Sequence, residues 1–249
     1  MAASKSQMEI KDDLDFKYKM KRPSYNDNDL ELLKKYYYKE LNRNPEWKDY
    51  WVEEDTIIRF LKAHVTVQES LEALIVYCDW RTKYEVDDIS PDDPDIRKEG
   101  SAHRELILED QTDFGGRPVV IMYPHLHDMY HGDYPSLYKY ITFQMEQLIS
   151  ICDQAENDGT FCLVVDMKNF AMKNMDYTAL RKIFWILKNC YPERLGVALI
   201  INYPWVFYGC WEIIKLWLND VTRSKIHFCY QKEMNDFLDT NACEIEVLK

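Results

Sequence analysis

The chain has 249 residues, 47% of them apolar, with 43 acidic against 31 basic residues and a formal net charge of −12. That length fits one α/β domain, or one domain with a smaller helical appendage, and leaves ample material for a core. Such acidity argues against nucleic acid as a partner, which calls for a basic stripe, but leaves membrane contact through an apolar or locally basic face open.

Residues 1–24 are charged and lack apolar rhythm, and read as a flexible segment. Met1 to Asp15 has no apolar centre, so no signal peptide is expected. Asn28-Asp29 is read as the cap of a helix to about Asn42, with Leu30, Leu33, Tyr37 and Leu41 on one face. Glu54-Asp55 opens a short helix through Ala63, and Val67 to Tyr84 forms another, with Leu71, Leu74, Ile75, Cys78 and Trp80 turned inward. The first third is thus an all-helical unit, assigned to residues 25–90. The stretch from Glu85 to Asp113 carries 11 acidic and 3 basic residues, a net of 3 − 11 = −8, and reads as a solvated connection.

From Arg117 the rhythm changes. Pro118–Met122 is a continuous apolar strand, and Pro135 to about Glu156 a long helix with proline in its first turn. Phe161–Val165 is a second strand ending at Asp166, and Asp176 caps a helix to about Cys190. Val197–Asn202 makes a third strand, Val206–Leu218 a helix, Lys225–Cys229 a fourth strand and Gln231–Leu238 a last helix. Strands apolar on both faces, alternating with helices, predict a mostly parallel sheet with crossover helices over residues 91–249.

Several kinds of chemistry leave no trace. There is no P-loop, no Gly-x-Gly-x-x-Gly and no Gly-x-Ser-x-Gly. His125, His127 and His131, with Asp128 and Asp133 nearby, are too loosely spaced for a zinc site and read as a polar loop after a strand. The seven cysteines include no Cys-x-x-Cys pair and several lie in apolar runs, so free buried thiols in a reducing compartment are expected. No apolar run reaches the roughly 18 residues of a membrane span. Neither a metal nor a cofactor is called for, and no nucleophile–base pair of a lipid-cleaving enzyme is visible.

The helix Val206–Leu218 is the positive signal. Among its side chains only Glu212 and Lys215 are charged, three apart. A helix apolar nearly all round is either a buried core helix or one that meets something apolar. The functional alternative is a lid over an oily cavity, with aromatics suited to a membrane interface. Glu193, after a Tyr-Pro pair, and Lys225, opening the next strand, are either a surface ion pair or two groups that bind a polar ligand head.

Five ordered motifs carry a resemblance. These are Arg59-Phe60-Leu61-Lys62-Ala63 with Trp80-Arg81, Asp113-Phe114-Gly115-Gly116-Arg117-Pro118-Val119, Tyr191-Pro192-Glu193-Arg194-Leu195-Gly196, Asn202-Tyr203-Pro204, and Asp220-Val221-Thr222 with Ser224-Lys225-Ile226. In this order, over roughly residues 28–240, the chain resembles the CRAL-TRIO, or Sec14-like, lipid-binding family. The resemblance implies an N-terminal helical subdomain and an α/β lobe that encloses one lipid behind a gate helix. It also implies Glu193 and Lys225 as head-group residues of a phosphatidylinositol-type ligand, with His64 standing where such binders place an arginine. A shorter, mostly neutral side chain there weakens phosphate binding or makes it pH-dependent. Binders of phosphatidylcholine and phosphatidylinositol carry hydroxyl side chains on the second strand, where this chain has Phe161 and Leu163, so the pocket is oilier.

The expected function is binding of a single lipid, phosphatidylinositol or phosphatidylcholine foremost, and its exchange between membranes by a cytoplasmic, peripherally membrane-bound, non-enzymatic protein. Val120, Met122, Phe161, Leu163 and Val165 are expected to line the pocket. Trp205, Phe207, Trp211, Ile214 and Trp217 are expected to form the gate and its membrane contact. A carrier of a neutral tocopherol- or retinoid-like hydrophobe, or an adaptor that recruits a protein, are the alternatives. The chain is also read as a possible lipid domain of a longer polypeptide.

Overall fold

The computed structural model describes residues 25–130, 133–155 and 157–239. The sequence readings of residues 1–24, of His131 and of Thr240–Lys249 lie outside them. The chain divides into two compact units. Of the described residues, one unit comprises 25–90 with 183–193, and the other 91–182 with 194–239.

The helical unit contains α1 (Asp27–Leu41), α2 (Glu54–Ala63) and α3 (Val67–Lys83). The cap of α1 is Asn26, two residues before the expected start. Its side chain accepts from the Asp29 amide while Asp29 reaches back to the Asn26 amide. This reciprocal pair satisfies two end donors at once. Thr66 and Glu69 repeat the device on α3. Leu33, Tyr37, Phe60, Leu74, Cys78 and Trp80 form the core. Asp87 locks one corner, accepting from Tyr50 Oη and Trp51 Nε1, each at 2.7 Å, and from Arg81 Nη2 at 2.5 Å. Burial raises the Asp87 carboxyl, but the hydrogen bonds from Tyr50, Arg81 and Trp51 outweigh it and hold it below the ordinary value.

The second unit is built on a sheet of β1 (Glu105–Thr112), β2 (Pro118–Met122), β3 (Phe161–Asp166), β4 (Leu195–Ile201) and β5 (Ile226–Phe228), in that spatial order. β2 to β5 are parallel, and β1 lies antiparallel on the β2 edge. The acidic stretch is therefore no plain connection: it holds α4 (Pro94–Gly100) and β1. Its charges are used locally. Asp93 caps α4 and pairs with Lys139, and the buried Glu99 pairs with Arg104. Counting charge gave no sign of these pairings, since Lys139 lies 46 residues from Asp93 and a count does not show that Glu99 is buried against Arg104.

The remaining elements are α5 (Tyr134–Gln154), α6 (Tyr177–Cys190), α7 (Phe207–Ile214) and α8 (Asp220–Ser224). Asp176 caps α6 as expected, accepting from the Ala179 amide at 2.9 Å. The lid helix is shorter than its apolar run, since its last turn, Lys215–Trp217, is a 3-10 turn. The residues expected to lead directly into the last strand instead form α8, capped by Asn219, and Gln231–Asp236 is 3-10 rather than α-helical.

Two motifs of the sequence meet at the foot of the sheet. Asp113 accepts from the amides of Gly115 and Arg117 and, at 2.7 Å, from Arg117 Nε. Gly116 closes this turn with a φ of 72°, where a side chain would be strained. Arg117 then passes so close to β4 that a β-carbon on Gly196 would stand 2.5 Å from its Cδ. Arg194, next along, is buried, bonds the Gly159 carbonyl at 3.0 Å and forks onto Asp153. These motif residues therefore hold strand ends together.

Candidate functional site

The strand register divides the sheet into two apolar faces. Val119, Ile121, Cys162, Val164, Val197, Leu199 and Ile201 lie on one face and form the core with Met234 and Leu238 from the C-terminal segment. Val120, Leu163, Ala198 and Ile226 run in one row across the opposite face, and Met122, Val165, Ile200 and Phe228 in the next. All five residues expected to line a pocket, Val120, Met122, Phe161, Leu163 and Val165, have the parity of this second face.

Helices reach that face from both ends. The strands follow one another in spatial order, so right-handed crossovers bring the connecting helices to a single face. From α5, Tyr140 and Gln144 hydrogen-bond Glu105, which pairs with Met122. From α7, Phe207 and Trp211 pack on Phe228, with ring centroids 6.3 and 5.0 Å apart. Yet Leu163 and Val165 are only half-buried although β3 is the central strand, and Met122 is 38% exposed. On this face β3 is therefore apolar but incompletely covered at Leu163 and Val165, while Phe161, Val120, Ala198 and Ile200 beside them are buried. Among β-strand residues of this face from β2 to β5 no charged group occurs.

The gate region is anchored at its base. Asn202 takes a φ of 52° and its side chain donates to Asp166 at 2.8 Å, fixing the turn into Pro204. In α7, Phe207, Cys210, Trp211 and Ile214 form a buried stripe at helical spacing. Phe207 packs edge-on to Phe170 at 5.8 Å, and Cys210 Sγ lies 3.7 Å from Met172 Sδ. Trp217 is half-buried against Tyr177, at 5.9 Å, with the Arg181 guanidinium 5.3 Å over its ring. Trp205, 82% exposed, and Leu216, 76% exposed, point outward with Ile213. The expected membrane set is thus divided: Trp205 faces out, whereas Phe207, Trp211 and Ile214 face in. An all-apolar helix gave no pattern from which to tell its faces, and the outward Ile213 and Leu216 were missed. Glu212 and Lys215 pair at 2.6 Å on the outer side, as their spacing implied.

The three expected head-group residues each have a defined setting. Lys225 caps the C-terminus of α8, and its carbonyl accepts from the Ala198 amide at 2.8 Å, so it precedes β5 rather than opening it. Glu193 has a φ of 54°, and its carbonyl accepts from Arg59 Nη1 at 3.0 Å. Its neighbour Tyr191 is buried edge-on to Trp80 at 5.8 Å. His64 ends α2, half-buried, with Nδ1 2.9 Å from the Phe60 carbonyl and its ring stacked on Phe60. Sequence reading gave Arg59, Tyr191 and Arg194 only as parts of motifs, and their structural duties appear only from these long-range partners.

His127 turns to Asp176 at 3.3 Å, and Asn174 donates to the carbonyls of His125 and His127 at 3.0 and 2.8 Å. Among the described residues no group of histidine, cysteine and carboxylate side chains could hold a metal ion. Six cysteines are free and buried, and Cys243 lies outside the described residues. No described helix is long and apolar enough to cross a membrane.

Comparison with known proteins gives a consistent picture. The crystal structure of Sfh5 superposes with a TM-score of 0.66 over 87% of this chain and 86% of that one, at 16% identity, which speaks for the fold. The Sec14 cytosolic factor of Schizosaccharomyces pombe is 28% identical over 71% of this chain and 66% of its own length. The phosphatidylinositol transfer protein CSR1 of Eremothecium gossypii is 30% identical over 54% of this chain and 31% of its own. The chain spans less than two thirds of the length of such curated relatives. A model of the CRAL/TRIO domain matches residues 105–247. On that match, with the parallel sheet, its half-open apolar face and the apolar helix α7, the chain belongs to the CRAL/TRIO domain family.

Proposed function

We propose that the lobe binds one lipid molecule, its hydrocarbon against the Met122–Leu163–Val165 face and beneath α7, and exchanges it at membranes. The observation that carries this reading is the central strand β3, apolar yet half-open on that one face. Sec14-type members of the family bind and transfer lipids and are not enzymes, and this reading uses no cofactor beyond the lipid itself. Burying hydrocarbon is worth about 0.8 kcal/mol per CH₂ against water. A lipid that leaves a bilayer for such a face exchanges one oily surrounding for another, so transfer is near thermoneutral and the head group sets selectivity.

The first ligand class in this reading is a phospholipid, phosphatidylinositol or phosphatidylcholine. Glu193, Lys225 and His64 are proposed as head-group residues, each on its own motif position. A relative named for phosphatidylinositol transfer supports the inositol lipid. A second reading, a neutral hydrophobe, is favoured by one feature: Phe161 and Leu163 offer no hydroxyl on the face where a polar head would call for one. A cytoplasmic protein that meets membranes peripherally, through α7, belongs to the same reading.

The test is mass spectrometry of lipid extracted from the folded protein purified from a eukaryotic host. A stoichiometric inositol phospholipid, lost in Glu193→Ala and Lys225→Ala, is the expected result. A stoichiometric neutral hydrophobe selects the second reading. A lipid-free extract from folded protein overturns both and favours a protein-recruiting adaptor.

A further inference from the structure

The apolar surface near the gate does not stop at α7. The loops that follow β2, β3 and β4 all leave the same, carboxyl, edge of the parallel strands. Each carries an exposed large apolar side chain. Leu126 and Tyr130, the latter 79% exposed, follow β2; Met172, 49% exposed, follows β3; and Trp205 follows β4.

The first two of these loops are bound to each other. Asn174, buried, bridges the carbonyls of His125 and His127, and the Met129 amide donates to the Lys173 carbonyl at 3.4 Å. Met172 in turn touches Cys210 on the inner face of α7. Leu126, Tyr130 and Met172 therefore sit on a braced platform beside a helix that must move for a lipid to pass.

Charge says what the platform meets. Lys168 and Lys173 flank Met172, both exposed, and neither ammonium is paired with a described residue. Of the acidic side chains nearby, Asp166 and Asp176 are buried and turned into the fold, while Asp128 is exposed beside Tyr130. Asp128 accepts from the Tyr130 amide at 2.9 Å, Asp166 from the Lys168 amide and Asn202, and Asp176 from Ala179 and His127. In a chain of net charge −12, two unpaired lysines beside exposed tyrosine, leucine and methionine make a surface complementary to anionic head groups over an apolar layer.

We infer that the loops after β2 and β3 form a second, stationary docking face for an anionic bilayer, formed by Leu126, Tyr130 and Met172 and bordered by Lys168 and Lys173. The inference rests on the carrier reading for its purpose. The platform holds the lobe on the membrane while α7 swings, so that opening the gate does not release the protein.

The test is co-sedimentation of the full chain with phosphatidylcholine vesicles, with and without phosphatidylserine. Leu126→Asp/Tyr130→Asp should lower the partition coefficient at least tenfold, while lipid extracted from the same preparation is unchanged in identity and amount. Lys168→Glu/Lys173→Glu should lower it only on phosphatidylserine vesicles, on the order of fivefold per lysine at low salt and less at high salt. Circular dichroism checks folding; should the double aspartate variant misfold, Tyr130→Ser alone must still weaken binding.

Normal partition of the Leu126/Tyr130 variant overturns the inference. So does binding that Trp205→Asp/Leu216→Asp abolishes but the loop variants leave intact, or wild-type binding indifferent to phosphatidylserine. Capture of a protein partner through Tyr130 without vesicle binding would equally overturn it. A chain that carries no lipid but docks through Tyr130 would instead sink the carrier reading and leave the docking face standing.

Discussion

The two faces of the sheet are made of the same residue types and meet opposite fates. Cys162 and Val164 are sealed against Met234 and Leu238, while Leu163 and Val165, their neighbours on the same strand, stay half-open. Hydrophobicity therefore does not decide which face becomes core. What decides is whether the chain supplies a second layer that fits flush, as the C-terminal segment does on one side. On the other side, α5 and α7 touch the sheet at its two ends and leave the middle incompletely covered.

The comparison can be broken by mutation. Leu199→Ala, on the sealed face with no exposed surface, should cost about 3 kcal/mol through lost transfer energy and the cavity left behind. Denaturant titration measures it, and a cost no greater than on the open face would contradict the division. Gly196→Ala should cost about 2 kcal/mol, because the added methyl drives Arg117 off its bond to Asp113. A neutral result would mean that this crossing is looser than it looks.

On the open face the expected stability change is smaller and the functional one larger. Leu163→Ala should cost about 1 kcal/mol or less, the value of a partly buried side chain, yet reduce the extracted lipid several-fold. Equal lipid content in the variant and the parent would remove Leu163 from the pocket.

The smallest perturbation tests the two faces at adjacent residues. In Leu163→Cys, maleimide labelling read by peptide mapping should modify residue 163 and be slowed by bound lipid. Cys162 should stay unmodified in the same molecule. It is wholly buried, and burial pushes its thiol up to about 12, so almost no reactive thiolate exists near pH 8. Labelling of both residues at one rate would show that the faces are not distinct.

Much of this was legible along the chain. Elements β2 to β4 and the long helices declare themselves by apolar runs, caps and prolines, because those signals are local. That Val120, Met122, Leu163 and Val165 share one face of the sheet could be read because period-two alternation fixes it once the strands are known. The acidic stretch misled because the partners of its charges, such as Lys139 for Asp93, lie far away. The gate misled in part because an apolar helix has no polar face to mark its orientation; only packing against Phe228 and Phe170 sets which side is inner.

Sequence by itself determined the strand–helix alternation, the parallel sheet and the family motifs, since each rests on residues close together in the chain. Tertiary structure alone decided that Arg194, Arg117 and Gly196 knit the foot of the sheet, that β1 joins its edge, and that one apolar face is sealed while the other stays half-open. Those outcomes depend on which distant segment arrives to cover a surface, and no local pattern encodes that.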